Sequence, residues 1–329
     1  MVRRRQSLFS LAAVLALLLG GAGCGHSSDP ASRRVVEDLP IDNRPAGWLA
    51  LPSRRTSVKF AVIGDSGRGW RPQHEVAARM AAYRERFPFD FVVMTGDNIY
   101  EGPATERDYR LKFEEPYARL LADGVRFHAV LGNHDDPRQR FYPLFNMHGH
   151  RYYTFRAPGP LLSRLEGEVR FFALDSTNLD RAQRAWLEEQ LRASRARWNI
   201  CVLHHPLYSP GRYPTHARVI RWLLESAFVE HGVDAVFSGH EHVYVRTRLQ
   251  RGVQYFISGA AGSLRRGDAR PAPFVARSHD DDFHFVLVEI DGNELHFQAI
   301  TRQGRTVDAG VLRKEEPEHL ADSVPVRGR

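Results

Sequence analysis

Five short motifs, each directly following an apolar run, constrain this chain more than any other feature of its sequence. The central motif is Gly96-Asp97-Asn98-Ile99-Tyr100, which follows the apolar stretch Phe89–Met94. The other four carry Asp, Asn or His in comparable turns: Gly64-Asp65-Ser66-Gly67, Gly132-Asn133-His134-Asp135, Leu203-His204-His205-Pro206 and Gly239-His240-Glu241-His242. Short apolar runs of this kind predict buried parallel strands. Because ligands bind at the carboxyl ends of such strands, the pattern predicts one shared site.

Each of these side chains also has an ordinary structural explanation when it is taken alone. Asp65 and Asn133 suit tight turns, and Tyr100 suits a protein core. Glycine, however, directly precedes four of the candidates and lets the backbone turn sharply toward a common centre. These four are Asp65, Asp97, Asn133 and His240. The motifs together supply two carboxylates, an amide oxygen, three imidazoles and a phenol, which favours two metal ions over a single structural zinc. Two ions sharing a carboxylate are the usual arrangement for phosphate-ester hydrolysis.

The pattern of the rest of the chain predicts an α/β fold. Apolar strands alternate with four predicted helices, at 72–87, 107–122, 180–193 and 215–230. We expect Pro116 to split the second helix. On the fourth helix the residues expected to face the core are Val219, Trp222, Leu223 and Phe228. After Gly252 only strands are predicted, with a hairpin turn at Asp291-Gly292. These halves predict a four-layer αββα sandwich, in which two mixed sheets are flanked by helices.

The N-terminus predicts export. Three arginines precede the apolar stretch Leu8–Leu19, which is too short to span a bilayer and has the length of a signal-peptide core. The following Gly21-Ala22-Gly23-Cys24 resembles a bacterial lipoprotein cleavage box. We therefore interpret residues 1–23 as a lipoprotein-type signal peptide and expect lipidation of Cys24. The expected location is the bacterial cell envelope, with the protein lipid-anchored in the periplasm or outer membrane; plain secretion is the alternative.

The remaining segments follow from composition. Residues 24–57 are polar and predict a tether, residues 58–313 the domain that carries the motifs, and residues 314–329 a polar tail. The chain has 43% apolar and 26% charged residues, a composition that excludes disorder over its whole length. The net charge of +7 includes the three N-terminal arginines, and no basic block is interleaved with aromatics, so nucleic acid is not an expected partner. Membrane contact is expected only through the lipid anchor. Cys201, in an apolar strand, is expected to be a small buried hydrophobe.

In their order and spacing the five motifs resemble those of the calcineurin-like metallophosphoesterases. They are Asp-x-Gly, Gly-Asp-x-x-Tyr, Gly-Asn-His-Asp, a strand-end His and Gly-His-x-His, and they span residues 65–242. More narrowly, they resemble the purple acid phosphatases of the small, tartrate-resistant type. That narrower resemblance depends on one exchange. Many members of the superfamily have a ligating His where this chain has Gly67, and Tyr100 takes its place as a ligand.

The resemblance implies the metallo-dependent phosphatase fold and a dinuclear centre. It implies a first ion held by Asp65, Asp97, Tyr100 and His242, and a second held by Asp97, Asn133, His204 and His240. Asp97 would bridge the two ions. Because a phenolate is a hard anionic ligand that a trivalent ion keeps deprotonated, the combination favours Fe(III) at the first position. Fe(II), Zn(II) or Mn(II) would occupy the second.

The resemblance also implies an acid phosphatase, in which metal-activated hydroxide attacks the phosphorus of a small phosphate monoester. His134 would orient the phosphate or protonate the leaving oxygen, with Asp135 as its partner. His205 is expected to line the pocket. The small acid phosphatases carry a further substrate-side His that this chain lacks in the following loop, where Arg212 or His216 could substitute. The alternatives are a phosphodiesterase or nucleotide pyrophosphatase on the same scaffold, and a lipid-anchored protein that binds phosphate or metal without catalysis.

Overall fold

The structure is a computed structural model that describes residues 34–157 and 169–315, and its strands form two seven-stranded mixed sheets. The first sheet has the spatial order β1 (Arg34–Asp38), β14 (Thr306–Lys314), β13 (Glu294–Thr301), β12 (His284–Asp291), β2 (Val58–Ile63), β3 (Phe91–Met94) and β4 (Arg126–Ala129). The second has the order β11 (Val275–His279), β9 (Tyr244–Thr247), β10 (Gln254–Ser258), β8 (Ala235–Ser238), β7 (Trp198–Val202), β6 (Val169–Ala173) and β5 (Tyr153–Arg156). The first sheet is parallel from β2 to β4 and antiparallel elsewhere, and the second has a parallel centre with antiparallel edges, so the predicted mixed character is confirmed.

Helices connect the parallel neighbours, except that β8 and β10 are joined through β9. They are α1 (Arg71–Arg84), α2 (Glu106–Tyr109), α3 (Ala118–Ala122), α4 (Arg181–Arg192) and α5 (Pro214–Glu230). A π-helical segment, Arg110–Glu114, follows α2 directly, and two 3-10 turns lie at Pro137–Phe141 and Pro143–Phe145. The predicted break at Pro116 is confirmed, because the helical run ends before it and α3 begins after it. The Asp180 carboxylate caps α4 by accepting from the Gln183 N–H at 2.8 Å.

The two sheets pack face to face through aromatic side chains. Phe60 of β2 meets Phe171 of β6 edge to face, with ring centroids 5.2 Å apart. Alternate residues of β7 point to opposite sides, so that Ile200 joins the core between the sheets while Cys201 joins the core under α4 and α5. On the far side of the first sheet, Tyr83 of α1 packs against Phe285 of β12, with ring centroids 5.9 Å apart. This arrangement confirms the four-layer αββα sandwich, and Cys201 is buried as expected.

Two expectations about local structure are wrong. Val219 and Trp222 do not face the core; they are 49% and 80% exposed. The buried stripe of α5 is Ala217, Ile220, Leu224 and Phe228. The helix is apolar on more than one face, so a second stripe with the same spacing competed with the true one.

The second difference concerns the predicted tether. Residues 34–38 form β1, which pairs antiparallel with β14 and completes the first sheet. The strand is fixed by ion pairs from both ends of the described chain, since Arg34 and Lys314 each reach the buried carboxylate of Asp234 at 2.6 and 2.7 Å. The strands predicted after Gly252 lie at 253–258, 283–290, 294–300 and 306–313, so β9 and β11 were also not predicted.

The signal segment, Cys24 and residues 316–329 of the polar tail lie outside the described residues. Within residues 34–157 and 169–315, no helix is long and apolar enough to cross a membrane.

Candidate metal centre

The five motifs lie in the loops at the carboxyl ends of five parallel strands, and the structure brings them together. The loops after β2, β3 and β4 come from the first sheet, and those after β7 and β8 come from the second. The centre therefore lies where the carboxyl edges of two sheets meet. This is the position predicted from the recurrence of the motifs.

Three of the predicted ligands form a first donor group: Asp65, Tyr100 and His242. The Tyr100 hydroxyl donates to Asp65 Oδ1 at 3.2 Å and lies 3.1 Å from His242 Nε2. His242 Nε2 is 3.3 Å from the same carboxylate oxygen. The three donor atoms thus stand in a triangle with sides slightly above 3 Å.

Three others form a second donor group: Asn133, His204 and His240. Asn133 Oδ1 is 3.0 Å from His204 Nε2 and 2.9 Å from His240 Nδ1, and the two nitrogens are 3.2 Å apart. The Nδ1 of His204 lies 2.9 Å from the Thr95 carbonyl oxygen. An N–H at that nitrogen leaves the neutral ring with a lone pair at Nε2, which then faces the amide oxygen of Asn133.

Asp97 connects the two donor groups. Its Oδ1 lies 3.5 Å from His204 Nε2 and accepts the His134 N–H at 3.0 Å. The same carboxylate interacts with the Tyr100 hydroxyl. Burial opposes its ionisation, but His204 and these hydrogen bonds bring its pKa below the ordinary value. Asp97 is therefore a carboxylate within reach of both groups.

The donor atoms fit metal ions. Ligands bound at about 2.1 Å stand about 3 Å apart around a common ion, which matches both triangles. The second group also sets two acceptors against each other, since Asn133 Oδ1 faces the lone pair of His204 Nε2 at 3.0 Å. A cation would resolve that opposition.

The protonation states of the imidazoles also favour metal binding. Burial, with His204 second, lowers the pKa of His240 to about 3. Burial and the nearby Arg265 lower the pKa of His242 to about 4. Both rings are therefore neutral near pH 7 and offer lone pairs to a metal. Burial and the carboxylates of Asp65 and Asp97 raise the pKa of Tyr100 far above its ordinary value, so its phenol needs a cation to ionise.

Glycines make this convergence possible. A Cβ at Gly132 would stand 2.2 Å from Asp97 Oδ1, and one at Gly239 would stand 2.4 Å from Asp65 Oδ2. No other residue fits at either position. Asp65, Asp97 and His240 themselves have left-handed backbones, with φ of 53°, 53° and 67°. Such conformations are sparsely populated outside glycine and cluster at functional sites.

Gly67 decides between two kinds of ligand set. A Cβ there would stand 2.0 Å from the carbonyl oxygen of Asn98, so no side chain can be accommodated. The Gly67 carbonyl instead accepts the N–H of Tyr100 at 2.9 Å. The position of the superfamily's histidine is thus closed by backbone, and the same contact carries Tyr100 into the centre.

The expected partnership of Asp135 with His134 is wrong. The Asp135 carboxylate accepts hydrogen bonds from the Gly132 and Ile99 N–H groups at 2.8 and 3.0 Å. It also accepts from the side chains of Asn98 and Gln139, both at 3.0 Å. Its buried oxygens therefore tie together the turns of two motifs. Burial and then Asp97 raise its pKa to about 7.

His134 itself lies at the opening of the centre. Its ring is exposed and tilted against Tyr100, with ring centroids 4.9 Å apart. Its backbone is fixed through Asp97, whereas its imidazole remains accessible from solvent. The structure therefore places it beside the first donor group on the open side.

The three residues expected to contact substrate differ in position. His205 is buried, and its Nδ1 is 2.9 Å from the Ser176 hydroxyl. His216 lies in the first turn of α5, with its ring 4.3 Å from His205 and 5.8 Å from His240. Arg212 has an exposed side chain, and its backbone N–H donates to the Glu241 carboxylate at 3.0 Å. Only the two histidines are thus brought beside the second donor group.

Several residues at the centre carry no motif signal. Glu241 is fully buried between two motif histidines and fixes the loop after β7, because it accepts the N–H groups of Arg212 and Tyr213 and the Ser209 hydroxyl. Tyr213 in that loop packs against His240, with ring centroids 4.5 Å apart. On the other side, Arg68 lies over the Tyr100 ring, its Cζ 3.7 Å from the centroid. In the sequence, the one sign of these residues is that they lie close to motif residues along the chain.

Comparison with known proteins agrees with this geometry. The family profile described as calcineurin-like phosphoesterase matches residues 58–244. Purple acid phosphatase 17 of Arabidopsis thaliana is 28% identical, over 91% of this chain and 97% of the relative. Tartrate-resistant acid phosphatase type 5 of Homo sapiens is 25% identical, over 79% and 93%. Among solved structures, the purple acid phosphatase PPD1 of yellow lupin superposes with a TM-score of 0.64 at 16% identity, over 81% of this chain and 55% of that one.

Proposed function

Because the chain belongs to the calcineurin-like phosphoesterase family and is a phosphoester hydrolase, we propose that it hydrolyses phosphate monoesters at a dinuclear centre of Fe(III) and a divalent ion. The observation that carries the proposal is the pairing of Gly67 with Tyr100. Backbone closes the place of a histidine ligand, and a buried phenol stands in the first donor group. A phenol in that place suits a hard trivalent ion, and the curated relatives are purple and tartrate-resistant acid phosphatases.

In this proposal the first donor group and Asp97 hold the Fe(III). The second donor group and Asp97 hold the divalent ion, which is Fe(II), Zn(II) or Mn(II). When bound, such a pair of ions supplies the nucleophile and neutralises charge on the phosphoryl oxygens. The protein contributes the positions of the ligands, and it fixes them through the glycine contacts and the Asp135 hydrogen bonds described above.

His134 acts on the substrate from the open side. Its imidazole is accessible, and its backbone is fixed to Asp97, so it can hydrogen-bond a phosphoryl oxygen or donate a proton to the leaving oxygen. His216 has an exposed imidazole near the second donor group and is the second candidate for that proton. The leaving oxygen then departs as an alcohol.

Ester preference and colour together test the proposal. We expect the iron-loaded protein to hydrolyse p-nitrophenyl phosphate faster than bis(p-nitrophenyl) phosphate. We also expect a visible tyrosinate–Fe(III) absorption band that Tyr100→Phe removes. Preference for the bis ester would instead support a phosphodiesterase, and phosphate binding without turnover of either ester would support a non-catalytic binding protein.

We also propose that the protein is exported and anchored through lipid on Cys24. The support is the order of the N-terminal segment, in which arginines, a short apolar stretch and small residues precede that cysteine. In a bacterial host, Cys24→Ser should move the protein from the membrane fraction to the soluble periplasmic fraction. Cys201→Ser is the matched control and should stay with the membrane. Equal fractionation of all three forms would contradict the anchor.

A further inference from the structure

The loop after β10 is held against the centre by its own backbone. The Ala261 N–H donates to the Gly64 carbonyl at 3.1 Å, and the Arg265 N–H donates to the His242 carbonyl at 3.0 Å. The first bond joins the loop to the Asp65 motif, and the second joins it to the last motif. Arg265 is therefore fixed next to a member of the first donor group.

The guanidinium of Arg265 lies close to both donor groups. The bond from its backbone N–H to the His242 carbonyl sets the side chain beside the last motif. Its Cζ is also 5.9 Å from the centroid of the Tyr213 ring, and Tyr213 in turn packs against His240. The cation thus lies beside Tyr213, which contacts the second donor group.

Arg265 differs from the neighbouring arginines in having an unused donor. Its Nη1 is buried and has no hydrogen-bond partner within residues 34–157 and 169–315. Arg68 pairs with Glu101 at 3.0 Å, and Arg266 is exposed and donates to the Asp281 carbonyl at 3.0 Å. A buried guanidinium N–H without an acceptor is unfavourable, so the site favours a ligand that supplies one.

The contacts of the proposed centre suggest which ligand this is. In the proposed function the two ions and His134 hold the phosphoryl group, so the unpaired N–H of Arg265 remains for another group of the substrate. A guanidinium N–H is matched best by an anionic oxygen. We infer that Arg265 forms a subsite for a second anionic group of the substrate, a carboxylate or phosphate close to the ester oxygen. This inference rests on the proposed function.

Three esters of nearly equal shape test the subsite: 2-phosphoglycolate, ethyl phosphate and 2-aminoethyl phosphate. They end in a negative, a neutral and a positive group. In each hydrolysis water adds to phosphorus, the P–O bond to the alcohol breaks, and the alcohol oxygen leaves with the bonding electrons and takes up a proton. We expect kcat/KM of the wild type to fall in that order. In Arg265→Met, kcat/KM for 2-phosphoglycolate should fall about 10- to 30-fold, mainly through KM, and that for ethyl phosphate less than about 3-fold.

Arg266→Met is the matched control, because it removes a neighbouring charge that already has a carbonyl partner, and it should keep the wild-type order. Arg265→Lys should retain part of the preference. The inference is overturned if Arg265→Met keeps the wild-type ratios, or if all three esters lose activity equally, since Arg265 would then act on the reacting phosphate. A wild type without preference among the three, but active on p-nitrophenyl phosphate, overturns the subsite and leaves the proposed function in place. Failure to hydrolyse any ester overturns both.

A binding measurement separates recognition from turnover. The non-hydrolysable analogues 3-phosphonopropionate and propylphosphonate differ by the same carboxylate. Calorimetry on the metal-loaded protein should show tighter binding of 3-phosphonopropionate to the wild type and to Arg266→Met. In Arg265→Met the two analogues should bind within about 3-fold of each other. An undiminished difference in that variant contradicts the subsite.

Discussion

Asp97 is the residue whose carboxylate lies between the two donor groups. Its left-handed backbone turns the carboxylate toward His204 and Tyr100, and the absence of a side chain at Gly132 leaves room for it. In the proposed ligand sets this carboxylate belongs to both groups. Its removal should therefore affect both ions and not only one.

For the proposed dinuclear centre we predict that Asp97→Asn lowers bound metal from two ions to fewer than one per chain. The amide keeps the shape but removes a negative charge that both ions would share. Activity should fall at least about 100-fold, more than the loss seen for residues that only orient ligands. Metal analysis by mass spectrometry and p-nitrophenyl phosphate turnover measure the two effects. Asp123→Asn, on the surface, is the control; full metal content in Asp97→Asn would contradict the bridging role.

Arg68 offers a second test at the residue scale. Its Cζ lies 3.7 Å from the centroid of Tyr100, so its charge stabilises electrons on an ionised ring. In Arg68→Met those electrons are less stabilised, and the phenolate-to-iron absorption band should move to longer wavelength. The visible spectrum of the iron-loaded protein measures this shift. Arg266→Met should leave the band in place, and an unshifted band in Arg68→Met would show that the stacking has no electronic effect.

The ligand positions could be predicted because each follows a strand within a few residues. Glu241 and Tyr213 could not, since their roles depend on where one loop meets another. Glu241 lies between two motif histidines, yet its side chain points the other way and fixes the loop that carries Tyr213. The contact of Asp135 was missed for the same reason. Sequence proximity to His134 suggested a partner, while the fold brought four other donors to its carboxylate.

At the scale of elements, α5 shows where periodicity stops being informative. The helix carries apolar residues on overlapping stripes, and only its contact with the second sheet selects Leu224 over Trp222 for burial. Strand β1 was missed for a related reason. Its five residues include three charged ones, and its partner β14 lies at the other end of the described chain. Pairing of that kind has no local signal.

The two faces of α5 should respond differently to truncation. Leu224→Ala should lower the free energy of unfolding by about 2–5 kcal/mol, because it leaves a cavity between the helix and the sheet. Trp222→Ala removes a larger side chain that is 80% exposed and should change stability by less than about 0.5 kcal/mol. Urea unfolding of both variants measures the difference. A larger effect for Trp222→Ala would mean that its side chain is covered in solution.

At the scale of the whole molecule, buried ion pairs join β1, β9 and β14. Arg246 is 2% exposed and donates to both oxygens of Asp308, at 2.6 and 3.1 Å. The same guanidinium reaches Asp38 of β1 at 2.7 Å, and the Tyr244 hydroxyl also donates to Asp308. This network connects the edge of one sheet with the edge of the other. The sequence predicted two sheets, but strand order across such edges depends on contacts between distant segments.

We predict that Asp308→Ala lowers the free energy of unfolding by about 3 kcal/mol, because it leaves the buried Arg246 with only the half-exposed carboxylate of Asp38 as a partner. The double variant Arg246→Met with Asp308→Leu should lose less, since it removes the charge together with its partner. Thermal and urea unfolding of the single and double variants measure the comparison. A double variant less stable than Asp308→Ala would mean that the ion pair itself, and not the stranded charge, supplies the stability.

Each donor group draws residues from both sheets. Asp65 and Tyr100 come from the first sheet and His242 from the second, and Asn133 from the first meets His204 and His240 from the second. Any ion that binds is consequently a cross-link between the two halves of the sandwich. In the described chain the one cysteine, Cys201, is a buried free thiol. A bound metal would therefore provide the kind of cross-link that a disulfide provides in other proteins. Metal supply would then determine both the stability of the contact between the two sheets and the activity of the site.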